Sequence, residues 1–312
     1  MSTTPLEKSL LTYVQGRIVQ LDNDTNGIPI CVPEFRRSSG SYLKKRGLNV
    51  INWFIRKGIL EVVGSPWLPG FWVQKPEALL SLLDSRDFKR PTLLMGVSNA
   101  SLSHKNWTSF KAEPFMVIDN RWNSFPEYMD SMKTKYRSRL KKAIQFKEGY
   151  DVVELEQTED NIALCAGMLE RTLIDKIAVL PIDLNELIRR FRIWFKEDYK
   201  IFGIQNKGEL KAFISVVEDG DCLRAMHYGT LKSNPDMIYS LAMFHVIDYG
   251  IEQGFKQINL GRTASEIKST YGARAAENHL SFYTRNVLLK LVLYFAKRKY
   301  IPKGYKLRSP FK

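Results

Sequence analysis

His227 and Tyr228 are neighbours at the end of an apolar stretch, and both carry groups that can move protons. An imidazole with an unperturbed pKa of about 6.5 is a base toward an ammonium group near neutral pH. The hydroxyl of Tyr228 can protonate a leaving group. We therefore predict that both residues are catalytic. The alternative for His227 is a half-buried strand histidine whose ring is satisfied by a backbone carbonyl.

Arg262 and Lys268 follow the predicted strand 256–260, and both side chains suit contacts with anions. Arg262 comes after the carboxyl end of a predicted strand, where α/β sheets commonly contact ligands. Its planar guanidinium fits a carboxylate or a phosphate. Lys268 is predicted to stabilise an oxyanion or a phosphate. The alternative is that Glu266 neutralises Lys268 in a surface ion pair.

The net charge is +14, and two long segments contain no acidic residue: 131–147 has seven basic residues and 278–312 has nine. A positive field of this kind raises the local concentration of anions, which include phosphates, nucleic acid and acidic lipids. Arg137 and Lys141 in the first segment are candidate donor-binding residues. The alternatives are a solvated helix face, or a nucleic-acid-binding protein that uses helix 133–147. Segment 287–312 reads as an apolar helix with a cationic tail, which either packs on the protein or lies at a membrane surface.

The elements that must position these residues begin with helices. Apolar residues recur at helical spacing over 125–146 and predict one long helix with a cationic side. A strand at 152–155 and helices at 159–177 and 183–196 follow.

Three short strands joined by tight turns then predict an antiparallel meander, at 200–205, 210–217 and 222–228. A helix from Pro235 to Gln253 leads to a strand at 256–260, which should run parallel to its predecessor because a helix connects the two. A short helix at 265–271 and a final strand at 279–284 complete the unit. The sequence predicts a mixed α/β fold.

Two motifs carry a resemblance to a known superfamily. One consists of Gly261, Arg262, Lys268, Gly272 and Ala273; the other consists of Lys135, Arg137, Leu140 and Ala143 in a single helix. In this order and spacing the chain resembles GNAT acyltransferases over 115–285, and in particular their Fem-type and polysaccharide-locus relatives.

The resemblance implies two tandem GNAT-like units with a mixed central sheet flanked by helices. A degenerate unit would occupy 1–150, a catalytic unit 151–286 and a basic tail 287–312. The implied activity is transfer of an acyl or aminoacyl group to an amine, in a cell-envelope precursor or a lipid. The fold would splay the strands at 222–228 and 256–260 to hold the donor, and a non-catalytic scaffold is the alternative.

The donor site implied by the resemblance lies at 230–240, where Asn234, Tyr239 and Ser240 are candidate contacts. Acyl-CoA enzymes of this superfamily have a glycine-rich turn here, and this chain has no glycine. Asp236 would also repel a phosphate at the start of the following helix. Acyl-CoA is therefore one candidate donor, and aminoacyl-tRNA, which Fem-type relatives use, is the other.

The three cysteines are widely spaced and form no CxxC pair, which is typical of reduced thiols in a cytosolic protein. The histidines match no metal-site spacing, so we predict no metal. The longest apolar run is too short to span a bilayer. We expect a cytoplasmic protein, with segment 287–312 as a candidate contact with the inner face of the membrane.

Overall fold

The computed structural model describes residues 17–19, 28–31, 35–37, 61–63, 91–97, 106–146, 149–173, 179–181, 183–231, 235–299 and 306–312. The chain divides into two compact units that alternate along the sequence. Unit 1 contains 1–37, 41–113 and 277–304, and unit 2 contains 38–40, 114–276 and 305–312.

Unit 1 contains a six-stranded mixed sheet in the order β1-β2-β4-β5-β15-β6. Its elements are β1 (Arg17–Val19), β2 (Ile28–Cys31), β3 (Phe35–Arg37), β4 (Glu61–Val63), β5 (Thr92–Val97), β6 (Trp107–Lys111), β15 (His279–Tyr283) and helix α7 (Val287–Lys299). The β4–β5 pair is parallel and the other pairs are antiparallel. Strand β15 lies between β5 and β6, and α7 follows directly after it.

Unit 2 contains a seven-stranded mixed sheet in the order β14-β7-β13-β12-β11-β10-β8. The strands of this unit are β7 (Phe115–Asp119), β8 (Asp151–Glu154), β9 (Val179–Pro181), β10 (Tyr199–Asn206), β11 (Glu209–Asp219), β12 (Cys222–Thr230), β13 (Gln257–Asn259) and β14 (Arg274–Ala276). The helices are α1 (Phe125–Ser131), α2 (Thr134–Phe146), α3 (Glu159–Leu173), α4 (Leu184–Phe195), α5 (Pro235–Glu252) and α6 (Ser265–Thr270). The predicted meander is confirmed as β10–β11–β12, and β13 pairs with β12 in parallel, as the connecting helix required.

Each face of this sheet is covered by its own set of helices. Alternation along β11 sends Ile214 to one face and Phe213 to the other. Ile214 belongs to a buried cluster with residues of α1, α2, α5 and β13. Phe213 lies against α3, and α4 packs on α3. The sheet therefore lies between two apolar layers.

The chain at 125–146 forms two helices, so the prediction of one long helix is wrong. Met132 is extended, with φ −78° and ψ 147°, and it bridges to Phe311. Lys133 N–H donates to the Pro310 carbonyl at 2.8 Å, and Lys312 N–H donates to the Ser131 carbonyl at 3.1 Å. Residues from the far end of the sequence therefore interrupt the helix, and a local periodicity carries no sign of them.

The last strand of the predicted catalytic unit also differs from expectation. Strand β15 pairs with β5 and β6 of unit 1, whereas β14 closes the sheet of unit 2 by pairing with β7. The longest segment of unit 2 begins at Pro114 and includes β7, which pairs with both β13 and β14. Segment 287–312 is likewise divided, with α7 in unit 1 and residues 306–312 in unit 2.

Candidate active site

Strands β12 and β13 separate part of the way along the sheet. Their parallel pairing starts at Cys222 with Gln257 and stops at Arg224 with Asn259. β12 continues to Thr230 on β11, while the chain beyond β13 turns away into the loop 260–264. Backbone groups of β12 beyond Arg224 therefore face an opening in this described part of the sheet. The splayed strand pair expected from the sequence is present.

β12 bulges at this opening. Ile214 pairs with Tyr228 and Val216 pairs with Ala225, so β12 has one residue more than β11 over this interval. A bulge re-aims side chains and often lies beside a functional site. Here the extra residue leaves the His227 N–H without a ladder partner, and Ser215 Oγ accepts from it at 3.1 Å.

His227 points to the α3–α4 face of the sheet. Its ring packs edge-on against Phe191, with 4.7 Å between centroids, and Nδ1 lies 3.2 Å from Ser215 Oγ. Burial lowers the pKa of His227 to about 4. The imidazole is consequently neutral near pH 7, and it is a weak base toward an ammonium group.

Tyr228 points to the opposite face and joins a group of hydroxyls that we call the tyrosine cluster: Tyr228, Tyr239, Ser240 and Tyr271. The rings of Tyr228 and Tyr239 meet edge-on at 5.0 Å. Ser240 Oγ lies 3.0 Å from Tyr271 Oη. Burial, with smaller contributions from Tyr271 and Tyr228, raises the pKa of Tyr239, so its hydroxyl stays protonated at neutral pH.

The loop 260–264 borders the opening opposite β12, and its backbone is strained. Gly261 has φ +79°, and a Cβ at this position would lie 3.4 Å from the Ala225 carbonyl oxygen of β12. Thr263 and Ala264 have φ of 66° and 48°, in the left-handed region that costs a non-glycine residue about 1–2 kcal/mol. Strain of this kind persists only where the surroundings impose it, and it is found preferentially at functional sites.

The surroundings that impose this conformation include a buried lysine. Lys268 is 4% exposed, and its Nζ donates to the Arg262 carbonyl at 2.7 Å. Asn259 Oδ1 accepts from the Gly261 N–H at 2.9 Å, and the Gly261 carbonyl accepts from Met116 N–H at 3.1 Å. The ammonium of Lys268 thus lies behind the loop, 3.8 Å from the Cβ position of Gly261.

Lys268 is buried and does not lie on the surface, where an ion pair with Glu266 was considered. Glu266 pairs with Arg308 of the C-terminal segment instead. Arg262 is half-buried, and its guanidinium carbon lies 5.9 Å from the centroid of the Phe115 ring. Lys268 therefore contacts the backbone of Arg262, but the Lys268 side chain is buried and the Arg262 side chain is half-buried.

The predicted donor contacts on α2 lie on a separate element that packs on α5. Arg137 forms an ion pair with Asp130 at 3.1 Å, and Lys141 is exposed to solvent. Asn234 lies outside the described residues. The roles of these three residues in donor binding stay predictions.

Sequence reasoning missed several residues of the site. Tyr271, Ser215 and Asn259 were not predicted, although each anchors a predicted one. Tyr271 lies inside the segment 257–273 that carries the motif, and its carbonyl also accepts from Tyr128 Oη at 2.7 Å. Ser215 could have been found because it is a polar residue in the apolar part of β11. The bulge in β12 could not, because no local sequence pattern marks it.

No protein-family model and no curated protein sequence matches the chain. Solved structures do. FemX has a TM-score of 0.58 over 93% of each chain at 13% identity. The C-terminal domain of a putative lysylphosphatidylglycerol synthetase from Agrobacterium fabrum has 0.58 over 97% of this chain and 94% of that chain, at 9% identity. This chain has the GNAT fold.

A further similar structure is L-PGS from Bacillus licheniformis, with a TM-score of 0.57, 95% and 96% coverage and 13% identity. In all three comparisons nearly the whole chain is aligned. These identities are low, so the likeness establishes the fold, and the chemistry has to be argued from the side chains.

Proposed function

We propose that this GNAT-fold protein is an acyl- or aminoacyltransferase that acts on an amine of a cell-envelope component. The observation that carries the proposal is the opening between β12 and β13. The bulged strand that carries Tyr228 lies on one side of it, and the loop held by Lys268 lies on the other. Exposed backbone groups there can pair with an extended donor, and hydroxyl and ammonium groups lie beside the place where its acyl carbon would sit.

The reaction forms a carbon–nitrogen bond and breaks the bond between the acyl carbon and the leaving oxygen or sulfur. Tyr228 gives its proton to the leaving group and accepts one from the attacking nitrogen, so no net proton is taken up by the protein. The amine enters as the free base, because His227 with a pKa of about 4 is too weak to deprotonate an ammonium. Lys268 places its positive charge behind the loop and favours the oxyanion.

The names of similar structures support the choice of substrate class. A lysylphosphatidylglycerol synthetase is named for a lysyl group joined to a membrane lipid. Together with the Fem-type resemblance of the motifs, this favours an aminoacyl donor. The absence of glycine from residues 230–240 also favours an aminoacyl donor over acyl-CoA, because a glycine-rich turn lets backbone amides at a helix N-terminus close on a pyrophosphate.

The donor is identified by thermal-shift measurements and the reaction by group transfer. Melting of the purified chain is recorded with acyl-CoA and with bulk aminoacylated tRNA, each at low and high salt. Transfer of a radiolabelled aminoacyl group is then measured to amine-containing envelope fractions. We expect tRNA to raise the melting temperature, most strongly at low salt, and transfer to follow. Stabilisation by acyl-CoA alone would show that acyl-CoA, and not aminoacyl-tRNA, is the donor. Absence of transfer from either donor would refute the proposed function.

Tyr228→Phe tests the site itself. We expect the transfer rate to fall by about 100-fold or more, the usual contribution of a positioned proton donor. The matched control is Tyr249→Phe. Tyr249 lies on α5, away from the opening, and its hydroxyl donates a 2.5 Å hydrogen bond to Glu218. Equal rates in the two variants would exclude a catalytic role for Tyr228.

A further inference from the structure

Helix α7 has a long apolar side that is exposed to solvent. Six large apolar side chains of this one helix are between 47% and 75% exposed: Val287, Leu288, Leu291, Val292, Tyr294 and Phe295. At about 100° per residue these positions form one continuous stripe. The opposite side, with Leu289, Lys290 and Leu293, is half-buried, and Lys290 Nζ donates to Asn106 Oδ1 at 2.7 Å.

Contacts with the rest of unit 1 fix the position of the helix, so its exposed stripe is a defined surface of the folded chain. Asn286 caps its first turn, with Oδ1 accepting from the Leu289 N–H at 3.0 Å. Contacts with β6 hold the half-buried side. No helix among the described residues is long and apolar enough to cross a membrane. A stripe of this kind on a short helix can instead enter the boundary between lipid headgroups and acyl chains.

The charges that follow the stripe, at the C-terminal end of the helix, are of one sign. Lys297 and Arg298 are exposed, and no acidic residue occurs from 278 to 312. The Arg298 guanidinium carbon lies 4.7 Å from the centroid of the exposed Tyr294 ring. Aromatic rings and basic groups at the edge of an apolar stripe are the arrangement that suits an anionic bilayer surface. A second copy of the chain would bring the same positive charges against these.

We propose that α7 docks the protein on an anionic lipid bilayer, with its apolar stripe in the interface and Lys297 and Arg298 on the headgroups. The docking element is narrower than segment 287–312. Arg308 is paired with Glu266, and Lys312 Nζ donates to the Asp130 carbonyl at 3.1 Å, so the last seven described residues hold unit 2 together. Docking stands independently of the proposed reaction, although it would bring the enzyme to a lipid-linked acceptor.

The test is co-sedimentation of the full chain with vesicles of phosphatidylcholine alone or mixed equally with phosphatidylglycerol. Binding is expected to the mixed vesicles and to weaken at high salt. Leu288→Asp/Leu291→Asp should lower the partition coefficient at least tenfold. Lys297→Gln/Arg298→Gln should lower it by about 25-fold, at about fivefold for each basic residue near an anionic surface.

The matched control is Leu164→Asp/Ile193→Asp, which adds the same charge at apolar residues of α3 and α4 that are 53% and 51% exposed. It should bind as the wild type does. Three results would each overturn the proposal. They are absence of wild-type binding, equal losses in the control and in Leu288→Asp/Leu291→Asp, and equal binding to vesicles with and without phosphatidylglycerol. A clearly lower melting temperature of the α7 variant without vesicles would show that the stripe packs on the chain itself, which also overturns it.

Discussion

Gly229 lies where β12 passes beneath α3, and it has no space for a side chain. A Cβ at this position would lie 2.5 Å from the Phe213 ring, 2.6 Å from the Leu169 backbone nitrogen and 2.8 Å from the Met168 carbonyl carbon. The ring can turn, but the other two atoms belong to a helix backbone. Alanine here therefore forces α3 away from the sheet. We expect Gly229→Ala to lower the free energy of unfolding by about 3 kcal/mol, at the upper end of the range for overpacking a core.

The matched control is Gly167→Ala in α3 itself. A Cβ on Gly167 meets nothing within 4 Å, and the residue is exposed. Alanine in an exposed helix interior is more stable than glycine by about 0.5–1 kcal/mol. The same substitution is thus expected to have opposite signs at two positions that lie close together in the fold.

Thermal unfolding followed by circular dichroism measures both effects. A loss of about 3 kcal/mol corresponds to a melting temperature lower by roughly 6–12 °C for a domain of this size. Hydrogen exchange should increase at the amides of β12 and α3. The reasoning is refuted if Gly229→Ala melts within about 2 °C of the wild type, or if both variants shift in the same direction by similar amounts.

Three further predictions concern the site. Lys268→Met should lower kcat/KM of the transfer reaction by about 10- to 100-fold while the circular dichroism spectrum is retained, because it removes a buried charge-assisted hydrogen bond; an unchanged kcat/KM would contradict the role assigned to this ammonium. Ala264→Gly should leave stability unchanged or raise it by up to about 1 kcal/mol, since glycine relieves the positive φ but adds freedom to the unfolded chain; a loss above about 1 kcal/mol in urea unfolding would show that Ala264 is not strained. Because the folded pKa of His227 is about 4, the unfolded chain takes up a proton near pH 6.5 that the folded chain does not. Protonation of this residue should therefore lower the free energy of unfolding by about 1.5 kcal/mol as the pH drops from 6.5 to 5. In melting curves over this pH range, His227→Gln should lose less stability than the wild type by that amount.

Local patterns in the sequence predicted the elements that are governed by neighbouring residues. The tight turns of the meander, Pro235 at the start of α5 and Gly254 after its end are such features, and the strands and helix are present. The parallel pairing of β13 followed from the helix that connects it to β12. The fold of unit 2 was thus largely accessible from the sequence.

Features that depend on distant pairing were not accessible. The break between α1 and α2 depends on Phe311. The sheet of unit 2 ends with β14, which pairs with β7, whereas the predicted last strand, β15, pairs with β5 of unit 1. At the site, His227 and Tyr228 are neighbours in sequence, but strand alternation and the bulge send them to opposite faces. The adjacency of the two residues in the sequence could not show whether their side chains share one site or lie in two separate environments.

The segment that closes unit 2 comes from a distant part of the chain, residues 306–312. Phe311 packs against Trp122 and Tyr128, and it occupies the space that a side chain on Gly272 would fill. The strands of unit 2 lie within residues 115–276, so they are synthesised before Phe311, which is the packing partner of the Gly272 turn beside the tyrosine cluster. The packing of this turn should therefore be completed after the strands of unit 2 have paired. A variant truncated before residue 306 would keep the tyrosine cluster but lose the aromatic contact that packs against its turn.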